Sequence, residues 1–168
     1  MYNFEDDVEY SPYEFGDEIN NKEFSESLNN LSVVSYKYLD IGRTNYHFCQ
    51  NCFDNRDIKK YFHFMKILSS IPFNKLLNEK KREWHLNSND YQRDRRFREF
   101  VNNALERTSN LKIESTPSFY HFALYTNNNA SNNASRSTNI KSPRIYFFFG
   151  KDATIYPLFY DPYHKINP

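Results

Sequence analysis

Residues 144–161, RIYFFFGKDATIYPLFYD, decide the fold. Before the GKDA break, Ile145, Phe147 and Phe149 alternate with Tyr146 and Phe148. After it, Ile155, Pro157 and Phe159 alternate with Tyr156, Leu158 and Tyr160. Successive side chains of a strand point to opposite faces. Both alternating sets are apolar or amphipathic here, so the run predicts a β-hairpin covered on both sides. Pro157 has no N–H to give to a ladder, which places it at an edge or a bulge. Asp161 and Pro162 then read as a strand terminator.

Working back along the chain, SFYHFALYT (118–126) reads as a third C-terminal strand. The polar NNNASNNASRSTNIKSP run (127–143) reads as a surface loop of low complexity. Three helices are expected before these strands. The first follows Asp54, a plausible N-cap, with one apolar stripe at Ile58, Phe62, Met65 and Leu68 and a second at Phe64, Ile67 and Ile71, which predicts burial on more than one side. Pro72 separates it from a shorter helix over FNKLLNEKKREWHL. The third carries an apolar face of Phe97, Phe100, Val101, Ala104 and Leu105, supported by the i,i+4 pairs Asp94/Arg98 and Arg95/Glu99. SVVSYKYLDIGRTNYHFC (32–49) reads as two strands around a turn at 40–43, with Gly42 in the turn. The resulting expectation is an α+β fold, in which an antiparallel sheet (an N-terminal hairpin plus three C-terminal strands) packs on about three helices.

Charge divides the 168 residues more sharply than the net value of +1 suggests. Residues 1–31 hold nine acids and one base, a net −8, whereas residues 32–168 carry +9. The first stretch interleaves its acids with aromatics and keeps neither helical nor strand periodicity. It reads as an extended or disordered acidic arm ahead of one α+β domain over 32–168. Three glycines in the whole chain exclude the glycine-rich phosphate loops of nucleotide-binding folds. No apolar run reaches the roughly 20 residues of a membrane span, and the acidic start lacks the apolar core of a signal peptide, so a cytoplasmic protein without membrane association is expected.

No strong catalytic motif is present. The cluster from Lys75 to Arg98 mixes cations with aromatics, the combination that holds phosphates and stacks bases. Its nucleic-acid-binding candidates are Lys81, Arg82, Trp84, Tyr91, Arg93, Arg95 and Arg96, although Glu79, Glu83, Asp90 and Asp94 among them also fit an ordinary solvated face. Histidine is the side chain suited to proton transfer near neutral pH. His85 and His164, with Asp161, would form an acid–base corner if the basic segment met the end of the sheet. His121, inside an aromatic strand, reads as a hydrogen-bonded core histidine. His47, Cys49, Cys52 and His63 contain a single C-x-x-C knuckle, too little to declare a zinc site. Two packed, reduced cysteines are the simpler account, and no metal or cofactor is expected.

The closing segment IYPLFYDPYHKI resembles that of uncharacterised small proteins of bacterial mobile elements, through Phe159, Asp161, Pro162, His164 and Ile166. The layout of an early strand, helices and a terminal antiparallel sheet is similar to the RelE/ParE toxin superfamily. That resemblance implies a ribosome-dependent ribonuclease or gyrase poison paired with an antitoxin, with Arg, Lys, His or Tyr on the sheet and adjoining helix. The chain departs from the superfamily in its greater length, extra hairpin and acidic arm. Two functions stay open. One is a nucleic-acid-engaging protein of the toxin or defence type, directed at RNA or DNA. The other is a non-enzymatic phage or mobile-element protein that binds and inhibits a host defence protein through Tyr2, Phe4, Asp6, Asp7, Tyr10, Tyr13 and Phe15 of the arm.

Overall fold

The computed structural model describes residues 29–42, 44–79, 84–109, 119–125, 141–150 and 153–166, without the side chains of 79 and 106–109. Residues 1–28 of the expected arm (1–31) and 127–140 of the expected loop (127–143) lie outside the described residues.

The described residues form five strands and three helices in the order β1 (Val33–Val34), α1 (Asn55–Leu68), α2 (Phe73–Glu79), β2 (Asn87–Asn89), α3 (Arg95–Ser109), β3 (Phe119–Ala123), β4 (Arg144–Phe149) and β5 (Thr154–Asp161). They form one sheet in the order β1-β5-β4-β3-β2. β2 through β5 pair antiparallel, and β1 lies parallel to β5 through Val33↔Thr154 and Val34↔Ile155. The fold is therefore α+β with a mixed sheet, not the purely antiparallel one expected.

The expected N-terminal hairpin does not form. Its first arm is reduced to β1, and the rest of 35–48 runs along the outer edge of β5. There Asp40 N–H bonds the Leu158 carbonyl at 3.2 Å, and Tyr160 N–H bonds the Tyr46 carbonyl at 2.8 Å. Asp40 is the cause. Its buried carboxylate accepts from Gly42 N–H at 3.0 Å and from the Thr44 hydroxyl, so the backbone is satisfied within the turn. Gly42, at φ 127°, takes the conformation that this turn demands.

The β4–β5 hairpin fits its sequence pattern. Ile145, Phe147 and Phe149 join Tyr61, Phe64, Met65, Leu68, Phe73 and Leu76 in a core under α1 and α2. Tyr146 and Phe148 join Phe97, Val101, Ala104 and Leu105 under α3. The sheet is thus covered on both faces, and each fully buried Phe or Tyr contributes roughly 1.5–3 kcal/mol. The ladder shifts register between Tyr146↔Phe159 and Phe147↔Pro157, which leaves Leu158 as the extra residue of a bulge. Pro157 sits in that bulge. The bulge also explains why Leu158 and Phe159, adjacent in sequence, both enter the α3-side core.

Asp54 caps α1 as expected, accepting from Arg56 N–H at 2.8 Å and Asp57 N–H at 3.1 Å. The buried stripe of α1 differs from the expected one. Asp57, Tyr61, Phe64, Met65 and Leu68 face the core, while Phe62 is 58% exposed. Met65 and Leu68 of the first expected stripe and Phe64 of the second are buried together, so α1 covers the sheet with a single side made from parts of both. On α3 the expected face is buried or half-buried, Arg95 pairs with Glu99 at 2.9 Å, and Asp94 caps the helix through Phe97 N–H.

Candidate functional site

Both faces of one end of the sheet, where β3 and β5 finish and β4 begins, carry buried polar side chains in an otherwise aromatic core. On the α3 face stand His121 of β3, Arg144 of β4 and Asp161 of β5. Arg144 and Asp161 are ladder partners, as are His121 and Tyr146. His85 arrives from the turn before β2, where Ala123 N–H bonds the Trp84 carbonyl at 2.9 Å. His164 arrives from the turn after β5, its ring 5.9 Å from that of His121. Both incoming histidines hold positive φ, 46° at His85 and 52° at His164. For a residue with a side chain this backbone costs about 1–2 kcal/mol, which the surrounding contacts must offset.

Each member has a definable state. His121 lies 2.9 Å from the Asn89 amide oxygen through Nδ1, so Nδ1 carries the proton and Nε2 the lone pair. Burial, and then the neighbouring His164, Arg144 and His85, push His121 down to about 3. Burial and then Arg144 also lower His85, so both imidazoles are neutral near pH 7. Arg144 is only 5% exposed. Its Nη1 donates to the Ser142 carbonyl and hydroxyl at 3.3 and 3.2 Å and to the Pro143 carbonyl at 3.3 Å. Its buried Nε has no hydrogen-bond partner among the described residues. Burial lowers the guanidinium, while Tyr146 and Asp161 act to hold its charge. Burial raises Asp161, even though its oxygens accept from Ile166 N–H at 2.7 Å and Tyr163 N–H at 3.2 Å. Those two bonds fold the turn that carries His164, so Asp161 acts on this cluster by positioning.

Of the acid–base residues expected from sequence, His85, His164 and Asp161 are thus brought to one end of the sheet. Arg96 is on the same side, since Tyr46 feels both Asp161 and Arg96. His85 and His164 are both half-buried, but in His164 both ring nitrogens are buried. Arg144 and His121 complete the group. The sequence signal for Arg144 is that of a lone cation heading an otherwise apolar run, and its position at the opening of a strand hides that role. The expected base-stacking residues are placed otherwise. Tyr91 is 7% exposed, stacks on Phe119 and donates to Asn102 at 2.6 Å, and Trp84 packs on Phe64 at 4.5 Å. Both rings serve the core because their apolar faces find aromatic partners there. Arg93, Arg95 and Arg96 are exposed, with Arg93 on Asp90 at 3.3 Å and Arg95 on Glu99. Lys81, Arg82 and the arm residues Tyr2, Phe4, Asp6, Asp7, Tyr10, Tyr13 and Phe15 lie outside the described residues.

The opposite face at the same end holds a second network around Asp57, which is fully buried. Its carboxylate takes Tyr160 Oη at 2.6 Å, the Tyr125 hydroxyl, and Lys141 Nζ at 2.5 Å; Lys141 also reaches Asp54 at 2.8 Å. Burial acts to lower Lys141, but the bonds to Asp54 and Asp57 outweigh it and raise it. Tyr160 Oη also lies 3.0 Å from the Cys52 carbonyl, and its single proton goes to the nearer carboxylate. This network is closed on itself and fastens the start of α1 to the sheet. Cys49 is exposed and Cys52 half-buried, both as free thiols. Among the described residues no group of three His, Cys, Asp or Glu side chains is arranged to hold a metal, and no helix is long and apolar enough to cross a membrane.

No family model matches the chain, and neither a curated protein nor a solved structure matches it.

Proposed function

We propose that the protein engages nucleic acid, RNA foremost, and that the His85–His121–His164–Arg144 cluster is where it acts on a phosphodiester. The observation that carries this reading is the convergence of three imidazoles and a buried guanidinium on one end of the sheet, on the side of the exposed arginines of α3. A neutral, half-buried His85 is suited to accept a proton at pH 7. Arg144 supplies a fixed positive charge behind it, with one N–H that has no partner among the described residues. In an RNA strand, the 2′-oxygen attacks the adjacent phosphorus and gives its proton to His85. The bond to the 5′-oxygen breaks, and that oxygen takes a proton from water, since the ring nitrogens of His164 are buried. The products are a 2′,3′-cyclic phosphate and a 5′-hydroxyl. The reading takes the protein to be of the bacterial toxin or defence type, and the support for that is the expected likeness of layout to RelE/ParE toxins.

Arg93, Arg95 and Arg96 would hold the strand. The ion pairs of Arg93 and Arg95 are exposed and worth little, so phosphates replace their carboxylates readily. The test is retention of a labelled single-stranded RNA across a salt series. Three phosphate contacts give a slope of log K on log salt of about −2, and R93A/R95A/R96A flattens it. Absence of salt-dependent retention on both RNA and DNA overturns the reading.

A further inference from the structure

The exposed side of α1 carries an unbalanced positive charge. Arg56, Lys59, Lys60 and Lys66 project from it with His63. The one acid within the helix, Asp57, is buried and taken up by Lys141, and Asp54 before it is also held by Lys141. Among the described residues no ion pair reaches Lys59, Lys60 or Lys66. Asn55, Arg56, Lys59, Lys60 and His63 line a groove of about 520 Å³, and the exposed ring of Phe62 stands beside it. Arg56 is partly engaged, over the Tyr125 ring at 4.2 Å.

We infer that residues 1–28 dock in cis along this face of α1, acids against Arg56, Lys59, Lys60 and Lys66, with aromatic side chains of the segment against Phe62. Three observations select this occupant. The first is charge. Residues 1–28 hold nine acids and one base, whereas the remaining undescribed stretches together contain three acids, Glu83, Glu114 and Asp152. The second is position. The described chain begins at Asn29, which contacts Asn74 at the start of α2, directly after the C-terminal end of α1. The third is length. α1 spans about 21 Å at 1.5 Å per residue, and 28 residues reach as far as about 90 Å when extended. The docking does not rest on the proposed function, whose strand-holding arginines belong to α3 on the other face of the sheet.

The test is zero-length carbodiimide cross-linking of the full chain, mapped by peptide mass spectrometry, together with acetylation footprinting of the lysines. Cross-links are expected within the monomer from Lys59, Lys60 or Lys66 to acids of residues 1–28, and they should fall several-fold in 1 M salt, where screening shortens to about 3 Å. Neutralising Asp6, Asp7 and Glu9 as D6N/D7N/E9Q should raise acetylation of Lys59 and Lys60 several-fold in low salt while leaving Lys75 and Lys165 unchanged. Cross-links only between chains would assign the face to a second copy. Protection of Lys59 and Lys60 solely by an added RNA, with no cross-link to the segment, would assign it to nucleic acid. Either result, or cross-links from the segment only to lysines elsewhere, overturns the inference. Loss of RNA retention with cross-links intact would count against the proposed function alone.

Discussion

Protonation of His121 should set the pH dependence of stability on the acid side of neutrality. His121 is buried against Asn89 and Tyr146 and faces His164, His85 and Arg144. Its folded-state value, about 3, lies well below the 6.5 of an unfolded chain. Between those two values the unfolded chain binds a proton that the native state refuses, so stability is full above about pH 6.5 and falls as pH falls. Integrating over one such site from about pH 7.5 to about pH 5 gives a loss of about 2 kcal/mol. That figure is insensitive to the folded value as long as it stays below about 4. His85, also lowered by burial, adds in the same sense but less, because it is partly exposed. Asp161, raised by burial, works oppositely and gains stability as pH falls toward its raised value. The comparison is therefore between wild type and His121→Asn, in which those two groups remain and an amide donor stands near the Nδ1 position. Urea unfolding at the two pH values should show a loss in wild type exceeding that in the variant by about 2 kcal/mol. Parallel losses would mean that the folded protein accommodates a charged His121, and the account of a neutral, desolvated cluster would be refuted.

Two further outcomes concern the scaffold. Asp57→Ala strands Lys141 and two phenols around a fully buried position and should cost about 3–5 kcal/mol in urea unfolding; a cost below about 1 kcal/mol would show that the network does not hold α1 to the sheet. Gly150→Ala places a methyl 2.5 Å from the Tyr156 ring, which is stacked on Phe148 at 4.9 Å and backed by Tyr38 at 5.1 Å. A loss of about 1–3 kcal/mol is expected from overpacking, read as a lower urea midpoint at unchanged m-value.

What could be read from the residues follows from where local rules and tertiary packing agree. The β4–β5 hairpin was legible because both of its alternating sets are apolar, and Pro157 announced its bulge. The α3 face was legible because one stripe of apolar residues stands alone against charge. On α1 two stripes compete, and nothing local says that Tyr61, which packs between Phe48 and Phe53, outranks Phe62. The segment 33–48 has strand-like residues, yet the Asp40 carboxylate closes its turn and β5 offers each half a better partner than the other half. β2, with the sequence Asn-Ser-Asn, has no strand propensity at all. It pairs because it borders the free edge of β3 and because Asn89 satisfies His121. The polar cluster was half legible. His85, His164 and Asp161 stand out as polar residues at element ends, but only the sheet register reveals that Arg144 lies opposite Asp161 and that His121 lies between the other histidines.

The most direct test of the central claim is end-group analysis of a single-stranded RNA after incubation with the full-length protein, wild type against His85→Ala, with His63→Ala as a surface control. The account predicts fragments ending in 2′,3′-cyclic phosphate and 5′-hydroxyl from wild type and His63→Ala, and a rate lower by about 10²–10⁴ in His85→Ala. Undiminished cleavage by the His85 variant, or no cleavage by the wild-type protein, would contradict it.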